Sequence, residues 1–374
     1  MLFSSIWALD KIMSIKYIIK YFISISMMLL FIIENNTETE LNNTLKFFNY
    51  LFLGILFIGT LEILGVDFGL PNHFDDVGIT HKYVKIIPVT FFHNPNNYAV
   101  FLVMGLITNI NNLLENKKDK YFYMSFISFI LIVINMIFTR SRTSLIVSIL
   151  CISFILILGI IKYKDKEFCK KSIVFCVKYF SLAFFIFFVL SILPGMSYYC
   201  GKFAKIPIVT QIQKIIFSNG AVGGSQDVPI VIGASGSDNI RITLIYNVLQ
   251  GVFKEKHILG FGVGNIGKYL AMTGNTHGIL AVHCYWLELL GDFGVFMFIY
   301  VIYIYAHMSL TIFLRFKKCE LGFKKYYIIA LSMLFAWSML VFGPSSVITF
   351  TPFWISLGIT YAIFNQYFIM NKEC

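Results

Sequence analysis

Nine long apolar segments dominate this chain and restrict it to a membrane fold. Of its 374 residues, 58% are hydrophobic and only 13% are charged. Each segment supplies about the 20 apolar residues that an α-helix needs to cross a bilayer. The sequence therefore predicts an all-α, polytopic integral membrane helical bundle of about nine spans. These lie near residues 12–33, 47–65, 96–114, 121–138, 143–161, 172–193, 287–314, 326–343 and 350–370.

Three basic connections between the spans set the expected orientation. They cover residues 116–120, 162–171 and 315–325. An even number of predicted spans separates each from the next, so all three lie on the same side of the membrane. Because Lys and Arg collect in cytoplasmic loops, these connections mark the cytoplasmic side. Most lysines behind the net charge of +11 sit in such short loops, so we expect the lipid bilayer, and not nucleic acid, as the partner of this charge.

The start of the chain does not fit this orientation easily. Nine spans would place Lys11, Lys16 and Lys20 outside the cell and the acidic linker 34–40 inside it. Two alternatives remain open. The first segment lies along the cytoplasmic interface without crossing, or the later spans overrule its weak positive-inside bias.

The same parity divides the chain into three parts. Residues 1–193 are N-terminal membrane helices, 194–285 form one long extracytoplasmic loop, and 286–374 are C-terminal membrane helices. In the loop, seven basic residues outnumber three acidic ones, which suggests an anionic ligand. The basic residues are Lys202, Lys205, Lys214, Arg241, Lys254, Lys256 and Lys268.

A short amphipathic helix is predicted inside this loop, from about Ile240 to Phe253. Ser237, Asp238 and Asn239 resemble an N-cap for it. Apolar residues along one side indicate that the helix lies in the membrane interface. They are Ile245, Val248, Leu249 and Val252.

Three arginines are candidates for binding an anion on the outer face. Arg241 falls in the first turn of the predicted loop helix, where a cation opposes the helix dipole unless an anion is bound. Arg140 and Arg142 precede the span that starts near residue 143. Guanidinium groups pair bidentately with phosphate oxygens, so these sites could hold a diphosphate without a metal. The alternative is that Arg140 and Arg142 are anchors at a helix end.

A histidine and two carboxylates interrupt the seventh apolar segment. His283 lies just before this segment, and Glu288 and Asp292 lie four residues apart on one helix face. A carboxylate at membrane depth costs roughly 2.5 to 3.5 kcal/mol on insertion scales, so we expect this pair to have a function. His283 suits a general base, with Glu288 or Asp292 to orient or stabilise it. Alternatively, the carboxylates make buried contacts with Arg or Lys of another span.

Other motifs do not indicate a cofactor or a metal. Residues 262–267 match G-x-G-x-x-G formally, but no βαβ context surrounds them. Asp75 and Asp76 lack a spaced carboxylate partner, and the seven cysteines show no metal-ligand spacing. We therefore expect neither a cofactor nor a metal site.

Five short pieces follow one another between residues 92 and 294. They are Phe92–Ala99, which contains the supporting residues Asn94 and Asn96, Thr139–Leu145, Asp238–Arg241, Gly260–Gly264, and His283 with Gly294. In this order they resemble the O-antigen ligase and O-antigen polymerase family of membrane glycosyltransferases. The resemblance implies that the essential arginines and histidine are Arg142, Arg241 and His283, with Arg140 as the substitute for Arg142. Cys284 departs from the polar residue usual after this histidine.

The resemblance implies an enzyme of the bacterial plasma membrane with its site on the extracytoplasmic face. Its donor would be an undecaprenyl-diphosphate-linked oligosaccharide, transferred onto a growing lipid-linked polysaccharide by a metal-independent, inverting polymerase. A chain-length regulator and a flippase of the same pathway are further expected partners. An O-antigen ligase is the first alternative. A lipid-linked oligosaccharide flippase or exporter, which binds with the same charges without reacting, is the alternative from another class.

Overall fold

The computed structural model of the chain describes residues 2–72, 86–115, 119–163, 232–235, 237–344 and 346–370, with a few single residues between 174 and 192. Within these residues the fold is helical and contains no strand, which confirms the all-α class. The helices are α1 (Lys11–Glu34), α2 (Glu38–Ile63), α3 (Pro95–Glu115), α4 (Lys120–Thr139), α5 (Arg142–Tyr163), α6 (Ser237–Leu249), α7 (Ile266–Thr273), α8 (Tyr285–Lys318), α9 (Leu321–Leu340) and α10 (Thr351–Met370).

Six of these helices are long and apolar enough to cross a membrane: α1 to α5 and α8. The protein is therefore a multi-pass helical membrane protein, as predicted. The span expected near 172–193 and most of the loop up to residue 231 lie outside the described residues. The count of nine spans stays a prediction.

The chain forms two compact units. Unit 1 comprises Met1–Leu41, Val228–Lys318 and Met333–Cys374, and unit 2 comprises Asn42–Asp227 and Cys319–Ser332. Both units combine stretches that are far apart in the sequence. The three-part division proposed from the sequence follows membrane topology, and it stays a prediction.

Unit 2 is held together by a buried polar link between α2, α3 and α4. The Tyr98 hydroxyl donates to Asn135 Oδ1 at 3.0 Å, and Asn135 Nδ2 donates to Thr60 Oγ1 at 3.0 Å. Gly59 lets the helices approach, since a Cβ there would lie 2.3 Å from the Tyr98 hydroxyl oxygen. Buried polar groups of this kind fix which helix faces meet, because each needs its partner.

In unit 1, α1 runs parallel to α10. The Ser24 hydroxyl donates to the carbonyl of Ile348 at 2.8 Å, just before α10 begins. Further along, Gly358 packs against Met28, and Gln366 Nε2 donates to the carbonyl of Asn35 at 2.6 Å. The start of α1 therefore lies on the side where α10 begins. This geometry favours the alternative in which the first segment crosses the membrane with its lysines outside.

Helix α6 packs its apolar side into the core of unit 1 but differs from the predicted helix. It begins at Ser237, so the predicted N-cap of residues 237–239 is wrong, and Arg241 lies in the second turn. The Asn239 side chain donates back to the carbonyl of Ser235 at 3.0 Å, which stabilises this earlier start. Its buried side includes Leu244 and Val248 and continues into Val252 of the following turn, whereas Leu249, predicted on that side, is exposed.

Helix α8 is broken at Gly294. This residue has φ 77° and ψ −175°, so the helix is two helices joined at a kink. The break makes room for the preceding loop: the Phe261 N–H donates to the Gly291 carbonyl at 2.7 Å, and the Val295 N–H donates to the Ile258 carbonyl at 2.9 Å. A Cβ on Gly294 would lie 2.1 Å from the Ile258 carbonyl oxygen. Only glycine fits here.

The parallel course of α1 and α10 gives a labelling prediction. In a protein whose seven natural cysteines are replaced, Lys11→Cys and Met272→Cys should both react with an impermeant maleimide on intact cells. Lys318→Cys, at the far end of α8, should react only after permeabilisation. Labelling of positions 11 and 272 from opposite sides would contradict the course of α1.

The Gly294 break gives a stability prediction. Gly294→Ala should lower the free energy of unfolding by about 3 kcal/mol or more, because backbone strain adds to a steric overlap. Gly274 is the matched control, since it has φ 69° but nothing within 4 Å of its Cβ position. Gly274→Ala should cost only about 1 kcal/mol. Thermal unfolding of the detergent-purified proteins measures the difference, and equal shifts would show that the loop does not constrain the break.

Candidate active site

The centre of the candidate site in unit 1 is the buried carboxylate of Asp292. Its side chain is 0% exposed. Oδ2 accepts the Gly264 N–H at 2.7 Å and Oδ1 accepts the Ile266 N–H at 2.9 Å. Since Ile266 is the first residue of α7, the carboxylate satisfies donors that a helix start leaves open.

This arrangement explains the glycine-rich motif at residues 262–267. Gly262 and Gly264 have φ 93° and 74°, which turns the loop around the carboxylate. The motif therefore does cradle an anion, but the anion is the protein's own Asp292. The loop also packs against Tyr17, because a Cβ on Gly264 would lie 2.3 Å from the Tyr17 ring.

The structure gives Asp292 partners that neither interpretation of the sequence named. The carboxylate is bonded to backbone N–H groups, not to His283 or to a cation of another span, among the residues described. Its structural task is to hold the loop before α7 against α8. A supporting role in a reaction stays a prediction.

Glu288 lies one turn earlier in α8 and faces a different neighbour. It is 7% exposed, and its Oε1 accepts the Ser346 hydroxyl at 2.9 Å. Ser346 in turn accepts the Ile348 N–H at 3.3 Å. The predicted outer turn before α10 is therefore attached to this carboxylate.

Helix α1 contributes to the same surroundings, which the sequence did not reveal. Lys20 acts electrostatically on Glu288, and its Nζ lies 4.7 Å from the centre of the Tyr17 ring. The only signal was the spacing of Lys16, Tyr17 and Lys20 at one end of an apolar run. That spacing is also typical of interfacial anchoring.

His283 is held in a strained backbone conformation directly before α8. Its φ is 54°, in the left-handed region that residues other than glycine rarely adopt. The side chain is half-buried, with Nδ1 inside the protein. The following turn is fixed by the Glu288 N–H, which donates to the Cys284 carbonyl at 2.9 Å, and by the Tyr285 N–H, which donates to Val341 at 3.1 Å.

Cys284, the departure from the family's usual polar residue, belongs to the apolar core. It is 3% exposed and packs with Leu244, Val248 and Leu290. Burial raises the pKa of its thiol to about 11, so the thiol stays protonated at neutral pH. It therefore supplies packing next to His283, not a reactive thiolate.

The arginines are divided between the units. In unit 2, Arg140 ends α4 with φ 57°, its N–H donating to the Ile137 carbonyl at 3.1 Å, and Arg142 is the exposed first residue of α5. In unit 1, Arg241 is half-buried in α6. Within the described chain, Arg142 and Arg241 form no hydrogen bond or ion pair. Their guanidinium groups remain available for an anion, and a shared diphosphate site stays a prediction.

Asn94 has a structural role in unit 2. It precedes Pro95 at the start of α3, and its Oδ1 accepts the Asn96 N–H at 2.8 Å, as an N-cap does. His93 before it has φ 60°. This capping accounts for the Asn-Pro-Asn sequence, while supporting roles for Asn94 and Asn96 in the reaction stay predictions.

Metal binding finds no support in the described part of the chain. None of its His, Cys, Asp and Glu side chains form a group of three that could hold a metal ion. The weak candidates Asp75 and Asp76 lie outside the described residues.

The Asp292 contacts give a further stability prediction. Asp292→Asn should lower the free energy of unfolding by about 1 to 3 kcal/mol, because an amide NH₂ must then face a backbone N–H. The control is Asp119→Asn, since Asp119 caps α4 from an exposed position and asparagine caps equally well. Thermal unfolding in detergent should separate the two variants. Equal stability would remove Asp292 as the organiser of the loop.

Comparison with known proteins gives one family match over part of the chain. Residues 127–302, just under half of the chain, match the O-antigen ligase family. No curated protein and no solved structure matches the chain. The matched region contains Arg140, Arg142, Arg241, His283, Glu288 and Asp292, and it leaves out Asn94 and Asn96. The resemblance inferred from the five sequence pieces is therefore confirmed: over residues 127–302 the chain is similar to the O-antigen ligase family.

Proposed function

We propose that this protein is a polysaccharide polymerase at the extracytoplasmic face of the bacterial plasma membrane. It would transfer an undecaprenyl-diphosphate-linked oligosaccharide onto a growing lipid-linked polysaccharide. The observation that carries the proposal is the family match, since it spans the arginines, the histidine and the buried carboxylates. Transfer to another acceptor, as an O-antigen ligase, is the alternative within the same chemistry.

The proposed reaction is one displacement at the anomeric carbon of the donor sugar. The acceptor hydroxyl gives its proton to His283 while its oxygen forms the new glycosidic bond. The bond from the anomeric carbon to the diphosphate breaks, and the configuration inverts. Negative charge grows on the leaving diphosphate, where Arg142 and Arg241 stabilise it.

The surroundings of His283 suit this role. The strained turn before α8 holds the imidazole, and strain of this kind persists only where neighbouring structure fixes it. Glu288, one to two turns along the same helix, would stabilise the imidazolium that forms during transfer. Arginines that bind the diphosphate take over the charge neutralisation that a metal supplies elsewhere, so we propose a metal-independent reaction.

A direct test uses the purified protein in lipid nanodiscs. Given only an undecaprenyl diphosphate oligosaccharide, with chelator and no nucleotide sugar, it should lengthen the glycan with inversion at the anomeric carbon. Binding of the lipid without any product would favour the flippase alternative. Loss of product in chelator would contradict metal independence.

Variants divide the roles among the residues. His283→Asn accepts a positive φ but cannot act as a base, so turnover should fall by roughly 10² to 10⁴ fold with donor binding retained. Arg142→Lys and Arg241→Lys should weaken donor binding, because lysine keeps the charge but loses the two-pronged geometry. Glu288→Gln should reduce turnover less than His283→Asn.

The control for the histidine is His277→Asn, since His277 lies in the same loop with φ 51°. The control for the arginines is Lys256→Gln, an exposed cation of that loop. Both should keep wild-type activity. Normal polymer yield from well-expressed His283→Asn protein would remove His283 from the mechanism.

A further inference from the structure

Four helix ends of unit 2 meet around a polar cavity of about 230 Å³. It is lined by the beginnings of α2, α4 and α9 and by the end of α3. Within unit 2 it lies at the opposite end of α4 from Arg140. Nothing in the proposed reaction uses it.

The cavity is lined with amide side chains, and the amide of one buried residue faces the cavity without a protein partner. Asn111 is 4% exposed and lines the cavity, and its side chain forms no hydrogen bond within the described part of the chain. Neighbouring amides are better satisfied: Asn49 accepts the Thr108 hydroxyl at 3.2 Å, and Asn112 donates to Ser125 at 3.2 Å. Buried amides almost always have partners. The Asn111 amide therefore points to a ligand in the cavity.

The charge of the lining selects an anion. Lys46 and Lys325 both line the cavity, and the Lys46 ammonium also lies 5.4 Å from the centre of the Tyr121 ring. The one carboxylate in the lining, Asp119, is engaged as the cap of α4, with its Oδ1 accepting the Phe122 N–H at 2.9 Å. Two ammonium groups and amide donors are the groups that bind a phosphate.

The position of the cavity matches the level of lipid headgroups. Its walls adjoin the basic connections 116–120 and 315–325, which the sequence places on the cytoplasmic side. Basic pockets between membrane helices on that side are suited to anionic headgroups.

We propose that this cavity binds a phosphate group, with Lys46 and Lys325 paired to its oxygens and Asn111 donating from the buried end. The phosphate belongs either to the headgroup of an anionic phospholipid or to free inorganic phosphate. Binding here is independent of the proposed transfer, since it uses neither the arginines nor His283.

The test measures binding to the full-length protein purified in detergent. The probes are dioleoyl phosphatidylglycerol, dioleoyl phosphatidylcholine and inorganic phosphate. Native mass spectrometry measures the retained lipid, and the thermal shift of the protein measures phosphate binding. Lys46→Gln and Lys325→Gln should each weaken binding about tenfold, since each removes one charge-assisted hydrogen bond. Lys317→Gln is the control, because this lysine lies in the same predicted layer at the end of α8 but does not line the cavity.

Asn111→Leu separates ligand binding from folding. Without ligand, this variant should be about as heat-stable as the wild type, because the Asn111 side chain forms no hydrogen bond that the change would remove, yet it should bind the probe more weakly. Preference for phosphatidylglycerol over phosphatidylcholine would assign the site to an anionic lipid. Binding of inorganic phosphate alone would assign it to free phosphate. Equal retention of both lipids, or unchanged binding in all three cavity variants, would overturn the proposal.

Discussion

The buried Asp292 carboxylate is the interaction on which unit 1 depends. Its two oxygens accept backbone N–H groups at the start of α7 and thereby join α7 to α8. The loop that it holds fills the break at Gly294. The same loop then receives α1. Asn265 accepts the Asp10 N–H at 2.6 Å and donates to the Ser14 hydroxyl at 2.8 Å. The loop that this one carboxylate holds thereby connects three segments that are distant in the sequence.

This arrangement separates two carboxylates that look equivalent in the sequence. Both lie on one face of the first part of α8, but Asp292 is surrounded by backbone donors and Glu288 faces a hydroxyl and the field of Lys20. A carboxylate saturated by backbone N–H groups has little left to offer a reacting histidine. Glu288 instead accepts the hydroxyl of Ser346. Asp292 therefore has a structural role in the fold, and the contribution of Glu288 to the reaction stays a prediction.

The sequence predicted well what depends on local pattern. The spans expected at 121–138 and 143–161 correspond to α4 and α5 within two residues at each end, since apolar length determines them. The sequence did not predict features that depend on contacts between residues far apart in the chain. The break in α8 depends on Ile258, and the course of α1 depends on a contact between Ser24 and Ile348. No periodicity within α8 or α1 carries that information, so a continuous span and an undecided first segment were the natural predictions.

A shared backbone feature connects the three sequence pieces that begin helices. His93, Arg140 and His283 each have a left-handed φ, and each stands two residues before a helix, namely α3, α5 and α8. Such a residue turns the chain sharply just before the helix begins. Under the orientation predicted from the basic connections, all three helix starts face the outer side. Helix starts carry partial positive charge, which adds to the arginines in attracting an anion. This shared construction is consistent with the proposed outer-face transferase, in which fixed positive charge would meet a diphosphate donor.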